Sequence, residues 1–154
     1  MTLNMEVADI RSEFEDTIFM YENRLAQNGI VLNYEDYVED IPEISCDPKR
    51  LRQVFLNILD NAAKHGSDGK RIDTSITCNA NTVQITIRDY GAGIAEDELP
   101  LVKKKFYKGS SKTRGTGIGL AVCDEIVLLH GGKLSLENAA GGGTMVTIEI
   151  PITQ

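Results

Sequence analysis

The chain has 154 residues, which suits one domain whose core needs neither a metal nor a disulfide to hold it together. Its formal net charge of −7 argues against nucleic acid as a partner, because neutralising phosphates requires a basic face. The composition, 42% hydrophobic and 25% charged, is that of a globular protein. With no membrane-length apolar run and no signal peptide, we expect a single cytoplasmic domain over 1–154, with 1–6 as a residual linker.

The first half of the chain predicts two amphipathic helices with a strand between them. The first helix carries apolar residues at spacings of three and four: Val7, Ile10, Phe14, Ile18, Tyr21 and Leu25. Asn28-Gly29 ends this helix, and the apolar segment 30–32 is typical of a strand. The second helix begins with Asp47 as N-cap and Pro48 at its first position, and Gly66 ends it.

The second half predicts two hairpins separated by a loop and a third helix. Segments 72–78 and 83–87 alternate in polarity and form the first hairpin, and segments 133–137 and 144–150 form the second. The third helix spans about 117–130. Strand pairs joined by short turns favour a mixed, mostly antiparallel sheet, and the helices need a face to cover. The predicted fold class is therefore α/β in the α+β sense: a two-layer α/β sandwich with about three helices over one sheet.

Polar residues on the second helix form the first candidate site. Asn57, Asn61 and Lys64 share one face, next to the apolar stripe. Two carboxamides can offer oxygens to a hard cation or hydrogen bonds to phosphate, and a lysine adds positive charge. The same pattern also describes an ordinary solvated face.

Two glycine-containing segments suggest where a ligand would lie. Asp89 ends a strand and precedes Gly91 and Gly93, so its carboxylate could accept the amino group of adenine, although a simple glycine-rich turn explains the same letters. Residues 115–120 place three glycines at a helix N-terminus, where free N–H groups suit phosphate. Between them, the stretch 101–114 holds six of the sixteen Lys and Arg and no acidic residue. It is either a solvated loop or an anion-binding one.

In their order along the chain, these segments resemble the sequence boxes of sensor histidine kinases. Residues 47–65 resemble the N box nearly residue for residue, and 89–94 resemble the G1 box. Residues 106–108 are similar to the F box, 115–120 to the G2 box and 141–144 to the last glycine box. The similarity covers about residues 7–151. It departs from the family at Tyr90, where Asn is usual, and at Ala92, where Pro is common; Tyr90 is bulky enough to affect access to a pocket.

The resemblance implies a Bergerat-type ATP site under a lid formed by 95–114. Asn61 would ligate Mg²⁺, Asn57 would lie nearby and Lys64 would contact phosphate, so Asn57 and Lys64 are the predicted catalytic residues. His65 and Asp89 would contact adenine. The other residues that the resemblance assigns to nucleotide are Gly91, Gly93, Ile94, Tyr107, Lys108, Gly115, Thr116, Gly117, Ile118, Gly119, Leu120 and Thr144.

The implied function is that of the catalytic ATP-binding domain of a two-component sensor histidine kinase, a protein-histidine kinase that uses ATP and Mg²⁺. The γ-phosphate would pass to a histidine on a dimerisation domain absent from this chain, because His65 and His130 both lie at predicted helix ends. A response regulator would be an indirect partner, the isolated domain is expected to be monomeric, and anchoring of the parent protein in the plasma membrane is left open.

Three other functions use related folds or sites. A hydrolase of the gyrase and heat-shock chaperone type would need a glutamate at the position of Asn57 to activate water, and an amide cannot act as that base. A serine kinase of the anti-sigma-factor kind is similar at the N box, but the segment 47–54 and the long lid disfavour it. A nucleotide-binding module without catalysis is disfavoured by the presence of Asn61, Lys64 and Asp89.

Overall fold

Three α-helices pack on one face of a five-stranded sheet in the computed structural model, which describes residues 1–36, 40–65, 67–101 and 119–152. The helices are α1 (Ile10–Gln27), α2 (Pro48–His65) and α3 (Gly119–Leu129). The strands are β1 (Glu6–Ala8), β2 (Val31–Asp36), β3 (Ile44–Cys46), β4 (Arg71–Cys78), β5 (Thr82–Asp89), β6 (Lys133–Asn138) and β7 (Thr144–Pro151). The predicted two-layer α/β architecture is confirmed.

The main sheet has the strand order β2-β4-β5-β7-β6. Its single parallel pairing joins β2 to β4, and the other three pairings are antiparallel, which confirms a mixed, mostly antiparallel sheet. Both predicted hairpins are present. Three of their four strands extend one residue beyond their predicted bounds and β5 extends three, because ladder hydrogen bonds continue past the alternating apolar residues.

The core lies between the helices and one face of this sheet. On β5, Val83, Ile85 and Ile87 are almost completely buried, while the alternating residues face the other side. Helix α1 packs on α2 through Phe14 and Phe55, whose rings make an edge-to-face contact with their centroids 5.1 Å apart. The opposite face of the sheet is polar, so it has no second layer among the described residues.

The start of the chain differs from the prediction. Val7 was placed on the first helix, but that helix begins at Ile10 with Asp9 as its N-cap, whose Oδ1 accepts the Ser12 N–H at 3.1 Å. Val7 instead lies in β1, is 70% exposed, and pairs antiparallel with Ser45 of β3. The prediction missed both three-residue strands because so short a segment carries no detectable period.

Hydrogen bonds tie the N-terminus of α2 to distant parts of the chain. Asp47 caps it as predicted: Oδ1 accepts the Arg50 N–H at 3.2 Å, and Oδ2 accepts the Asn4 N–H at 2.8 Å. The Asp47 N–H donates to Nε2 of His130 at 3.0 Å, and Nδ1 of that ring lies 2.8 Å from the Ile126 carbonyl. His130 is therefore buried with both ring nitrogens occupied, in agreement with a structural role.

No helix in the described part of the chain combines the length and apolar character needed to cross a membrane.

Candidate nucleotide site

A cleft opens where α2, the start of α3 and the ends of β5, β6 and β7 meet. It holds about 460 Å³ of empty space, counting its open mouth. Its walls are mostly apolar. The lining residues are Ile58, Asn61, Ala62, Ile87, Asp89, Gly93, Ile94, Leu120, Leu136, Thr144 and Val146. An apolar slot with few polar groups suits a flat heterocycle that is read at one edge.

Asp89 is the carboxylate in this cleft. It ends β5, is 5% exposed, and uses Oδ1 to accept the Gly91 N–H at 2.9 Å and the Thr144 N–H at 3.3 Å. Within the described part of the chain no donor binds Oδ2. Burial raises the pKa of Asp89, and the two backbone N–H groups and Arg88 oppose that rise. The result is a buried acceptor that is oriented by backbone and has one oxygen left for a ligand.

Two glycines near Asp89 are packed too tightly to carry a side chain: Gly93 in the loop after Asp89, and Gly143 in the turn before β7. Gly93 has φ +82°, and a Cβ there would lie 2.8 Å from Oδ1 of Asn138. Gly143 has φ +85°, and a Cβ there would lie 2.0 Å from the carbonyl oxygen of Asp89. The glycine turn before β7 therefore presses directly on the backbone that presents the carboxylate.

Tyr90 lies away from the cleft, on the polar face of the sheet. Its hydroxyl donates to Oδ2 of Asp73 on β4, and its ring lies between the guanidinium groups of Arg71 and Arg88, at 5.0 and 4.2 Å from the ring centroid. Hydrogen bonding to Asp73 raises the pKa of the Tyr90 hydroxyl. A large residue at this position therefore does not narrow the cleft.

The polar residues of α2 divide between two sides of the helix. Asn61 lines the cleft, and no described residue holds its carboxamide. Asn57 lies one turn earlier and contacts the buried thiol of Cys123 on α3, whose pKa burial raises to about 12. Lys64 lines a neighbouring groove between α1 and α2, where its Nζ pairs with Oδ2 of Asp60 at 3.0 Å. Both partners of that pair are about half exposed, so the ion pair is weak and Lys64 can be recruited elsewhere at small cost.

The remaining predicted site residues fall into two groups. Gly91, Gly93, Ile94, Leu120 and Thr144 lie in or beside the cleft, and Gly119 begins α3 at its edge. Tyr107, Lys108, Gly115, Thr116, Gly117 and Ile118 lie outside the described residues, as does the lid from 102 onward, and the side chain of His65 is not described either. Sequence reasoning missed Asn138, which holds Ile94, and Arg88, which binds the turn before β7. It also missed the apolar lining residues, whose spacing indicated only core: Ile58, Ile87, Leu136 and Val146.

The fold and this cleft define a two-layer ligand-binding domain of the nucleotide-binding class. The family model for histidine kinase-, DNA gyrase B- and HSP90-like ATPases matches residues 46–154. The chain belongs to that family, and within it to the ATP-binding catalytic domains of sensor histidine kinases.

Individual relatives agree with this assignment. The chain is 40% identical over 120 residues to sporulation kinase E of Bacillus subtilis (strain 168), covering 77% of this chain and 16% of that protein. It is 36% identical over 155 residues to the adaptive-response sensory kinase SasA of Prochlorococcus marinus (strain MIT 9303), covering 98% and 41%. The structure of the mycobacterial sensor histidine kinase MprB aligns with a TM-score of 0.81 at 28% identity, covering 96% of this chain and 98% of that one. The chain thus spans less than half the length of these two curated relatives.

Proposed function

We propose that this domain binds Mg-ATP in the cleft and delivers the γ-phosphate to a histidine on a dimerisation domain of the same parent kinase. The observation that carries the proposal is Asp89, a buried carboxylate at the end of an apolar slot whose Oδ2 receives no hydrogen bond from the described residues. Asn61 lies in the same cleft with its carboxamide available. These two groups suit opposite ends of one nucleotide.

The base end is formed by Asp89 and the apolar walls. Adenine carries an exocyclic amino group that donates hydrogen bonds, and a carboxylate fixed by two backbone donors accepts one without reorganising. Thr144 sits beside Asp89 on β7, and Ile94 and Leu136 supply flat apolar contact. Gly91 and Gly93 allow the backbone to pass close to the ring.

The phosphate end is formed by α2 and the start of α3. Mg²⁺ is held in many sites by one or two oxygen ligands from protein together with phosphates and water, and the available carboxamide of Asn61 fits that role. The metal would neutralise charge on the transferring phosphoryl group. Gly119 opens α3, an eleven-residue helix whose N-terminal N–H groups favour an anion, and among the described residues outside that helix no atom lies within 4 Å of a Cβ placed on it.

Transfer to a histidine is favoured over hydrolysis by the residue at position 57. An amide in contact with the Cys123 thiol cannot take a proton from water, so the domain positions phosphate without activating a nucleophile itself. His130 is buried and both of its ring nitrogens are in hydrogen bonds, so it is not suited to accept a phosphoryl group. The acceptor is therefore proposed to lie on the dimerisation domain, with a response regulator receiving the phosphate from that domain.

Labelling with γ-labelled ATP tests the proposal. The isolated chain should bind Mg-ATP without labelling itself, and adding the dimerisation segment of its own parent should give slow, acid-labile labelling of a histidine on that segment. The transfer is slow because tethering normally provides a high effective concentration. Label on this chain alone would contradict the assignment of the acceptor, and phosphate release at a rate that the added segment does not change would indicate a hydrolase.

Lys64 offers a test of which end of the nucleotide it contacts. Lys64→Met should weaken ATP binding by about 1 kcal/mol, roughly fivefold, as expected for a half-exposed charge pair, and leave adenosine binding unchanged. Calorimetric or NMR titration with both ligands measures the difference. Lys49→Met, an exposed lysine in the first turn of α2, is the matched control. Equal losses for ATP and adenosine would place Lys64 away from the phosphates.

A further inference from the structure

Asn138 makes two hydrogen bonds to the backbone of a single residue in the loop that borders the cleft. Its Oδ1 accepts the Ile94 N–H at 2.8 Å, and its Nδ2 donates to the Ile94 carbonyl at 2.7 Å. The carboxamide thus pairs with Ile94 as a peptide group of a neighbouring strand would. Asn138 is the last residue of β6, and Ile94 lines the cleft. A rigid strand end is therefore tied directly to a wall of the nucleotide site.

The same hairpin also grips the other end of this loop. Thr144, the register partner of Asn138 on β7, donates its N–H to Asp89, and Gly143 packs against the Asp89 carbonyl. The loop between Asp89 and Ile94 is consequently held at its start by β7 and at its end by β6. Arg88 braces the turn between the two strands, donating from Nη2 to the carbonyls of Ala140 at 2.8 Å and Gly142 at 3.0 Å.

We propose that Asn138 is a positioning residue for the base end of the nucleotide, which it sets by fixing Gly93 and Ile94 at their distance from Asp89. This inference rests on the proposed function of the cleft. Asn138 itself does not line the cleft and needs no contact with the ligand. It acts through the loop, because Gly93 approaches so closely that no Cβ fits between them and Ile94 cannot shift outward while both hydrogen bonds hold.

The two strands of this hairpin therefore have different roles at the base end of the cleft. Thr144 orients the carboxylate proposed to contact the base, and Asn138 sets the position of Ile94, which lines the same cleft. Without Asn138 the loop keeps its anchor at Asp89 and loses its anchor at Ile94. Affinity for the adenine moiety should then fall through a wider range of loop positions in the free protein, while the core, to which neither Asn138 nor Ile94 belongs, keeps its packing.

Two variants of Asn138 separate its hydrogen bonds from its size. Asn138→Ala removes both bonds, and Asn138→Asp keeps the shape and the acceptor for Ile94 N–H but faces the Ile94 carbonyl with an oxygen. Each should weaken binding of Mg-ATP and of adenosine by the same factor, roughly five- to tenfold, as expected for the loss of one or two modest hydrogen bonds. The Ile94 amide should exchange with solvent faster in both variants, and the midpoint of thermal unfolding should change little.

Glu137→Gln is the matched control, an exposed neighbour on the opposite face of β6 that should bind like the parent. Parental affinity in Asn138→Ala would overturn the positioning role while leaving the proposed function intact. A loss for ATP that is absent for adenosine would also overturn it, because the effect would then lie at the phosphate end. If the unmutated domain binds no adenine nucleotide, the proposed function fails. The positioning role then fails with it, even when slow exchange of the Ile94 amide shows that the hydrogen bonds exist.

Discussion

Asn61→Ala is expected to reduce transfer of phosphate to the dimerisation segment by roughly 100-fold or more, because a protein ligand to the metal supports several kcal/mol of charge stabilisation and about 1.4 kcal/mol is tenfold in rate. Asn61 lines the cleft from α2, and no described residue holds its carboxamide. Its removal therefore breaks no side-chain hydrogen bond among the described residues, and alanine favours the helix. The loss should appear in the rate of transfer, with some nucleotide binding retained.

The measurement is single-turnover labelling of the added segment, run beside calorimetry of Mg-ATP binding. Asn81→Ala, an exposed asparagine in the turn between β4 and β5, controls for loss of an amide far from the cleft and should transfer like the parent. Repeating both titrations without Mg²⁺ adds a second criterion: parent and Asn61→Ala should then bind ATP equally. Parental transfer rates in Asn61→Ala would remove Asn61 from the metal site.

Asp89→Asn should weaken binding of ATP and adenosine alike by about 1.5–3 kcal/mol, or roughly 10- to 150-fold, the contribution of a hydrogen bond to a charged group. An asparagine keeps an oxygen for the Gly91 and Thr144 N–H groups, so the loop should retain its shape. It replaces Oδ2 with an NH₂ group, which meets the amino group of adenine donor to donor. Titration with both ligands would detect the loss, and unchanged affinities would remove Asp89 from base recognition.

The same substitution, which should weaken nucleotide binding, is expected to stabilise the ligand-free protein. Burial raises the pKa of Asp89 in the folded state, so ionising its carboxyl group costs more in the folded than in the unfolded protein. The stability that the protonated carboxyl group contributes is fully present below the unfolded pKa. It is lost as the pH rises through the folded pKa. Without nucleotide, Asp89→Asn should therefore have a higher free energy of unfolding than the unmutated domain at pH 7. This difference between the two proteins should disappear in acid, where Asp89 is protonated in both the folded and the unfolded state. Urea unfolding of both proteins at several pH values measures this difference in stability.

Local pattern in the sequence determined most of the fold. The spacing of Ile10, Phe14 and Leu25, the Asp47-Pro48 helix start and the alternation along β4, β5 and β7 each reflect one element burying one face. Those patterns are set within a few residues, so they can be read without the rest of the chain. The ordered boxes likewise indicated the family, because each is a short motif that can be recognised locally, even where distant packing requires the glycine, as at Gly93 and Gly143.

Long-range contacts decided the rest. Val7 fits a helical stripe, yet pairing with Ser45 of β3 places it in a strand, since hydrogen bonds to a distant segment outweigh a local period. Lys64 shares a helix face with Asn61, but the Asp60 ion pair turns its side chain toward α1. Asn138, far along the chain, holds Ile94, and Tyr90 is drawn to the opposite side of the sheet by Asp73, Arg71 and Arg88. Apart from the local Lys64–Asp60 and Tyr90–Arg88 pairs, these partners lie 17 to 44 residues apart in the sequence, and only tertiary packing brings them into contact.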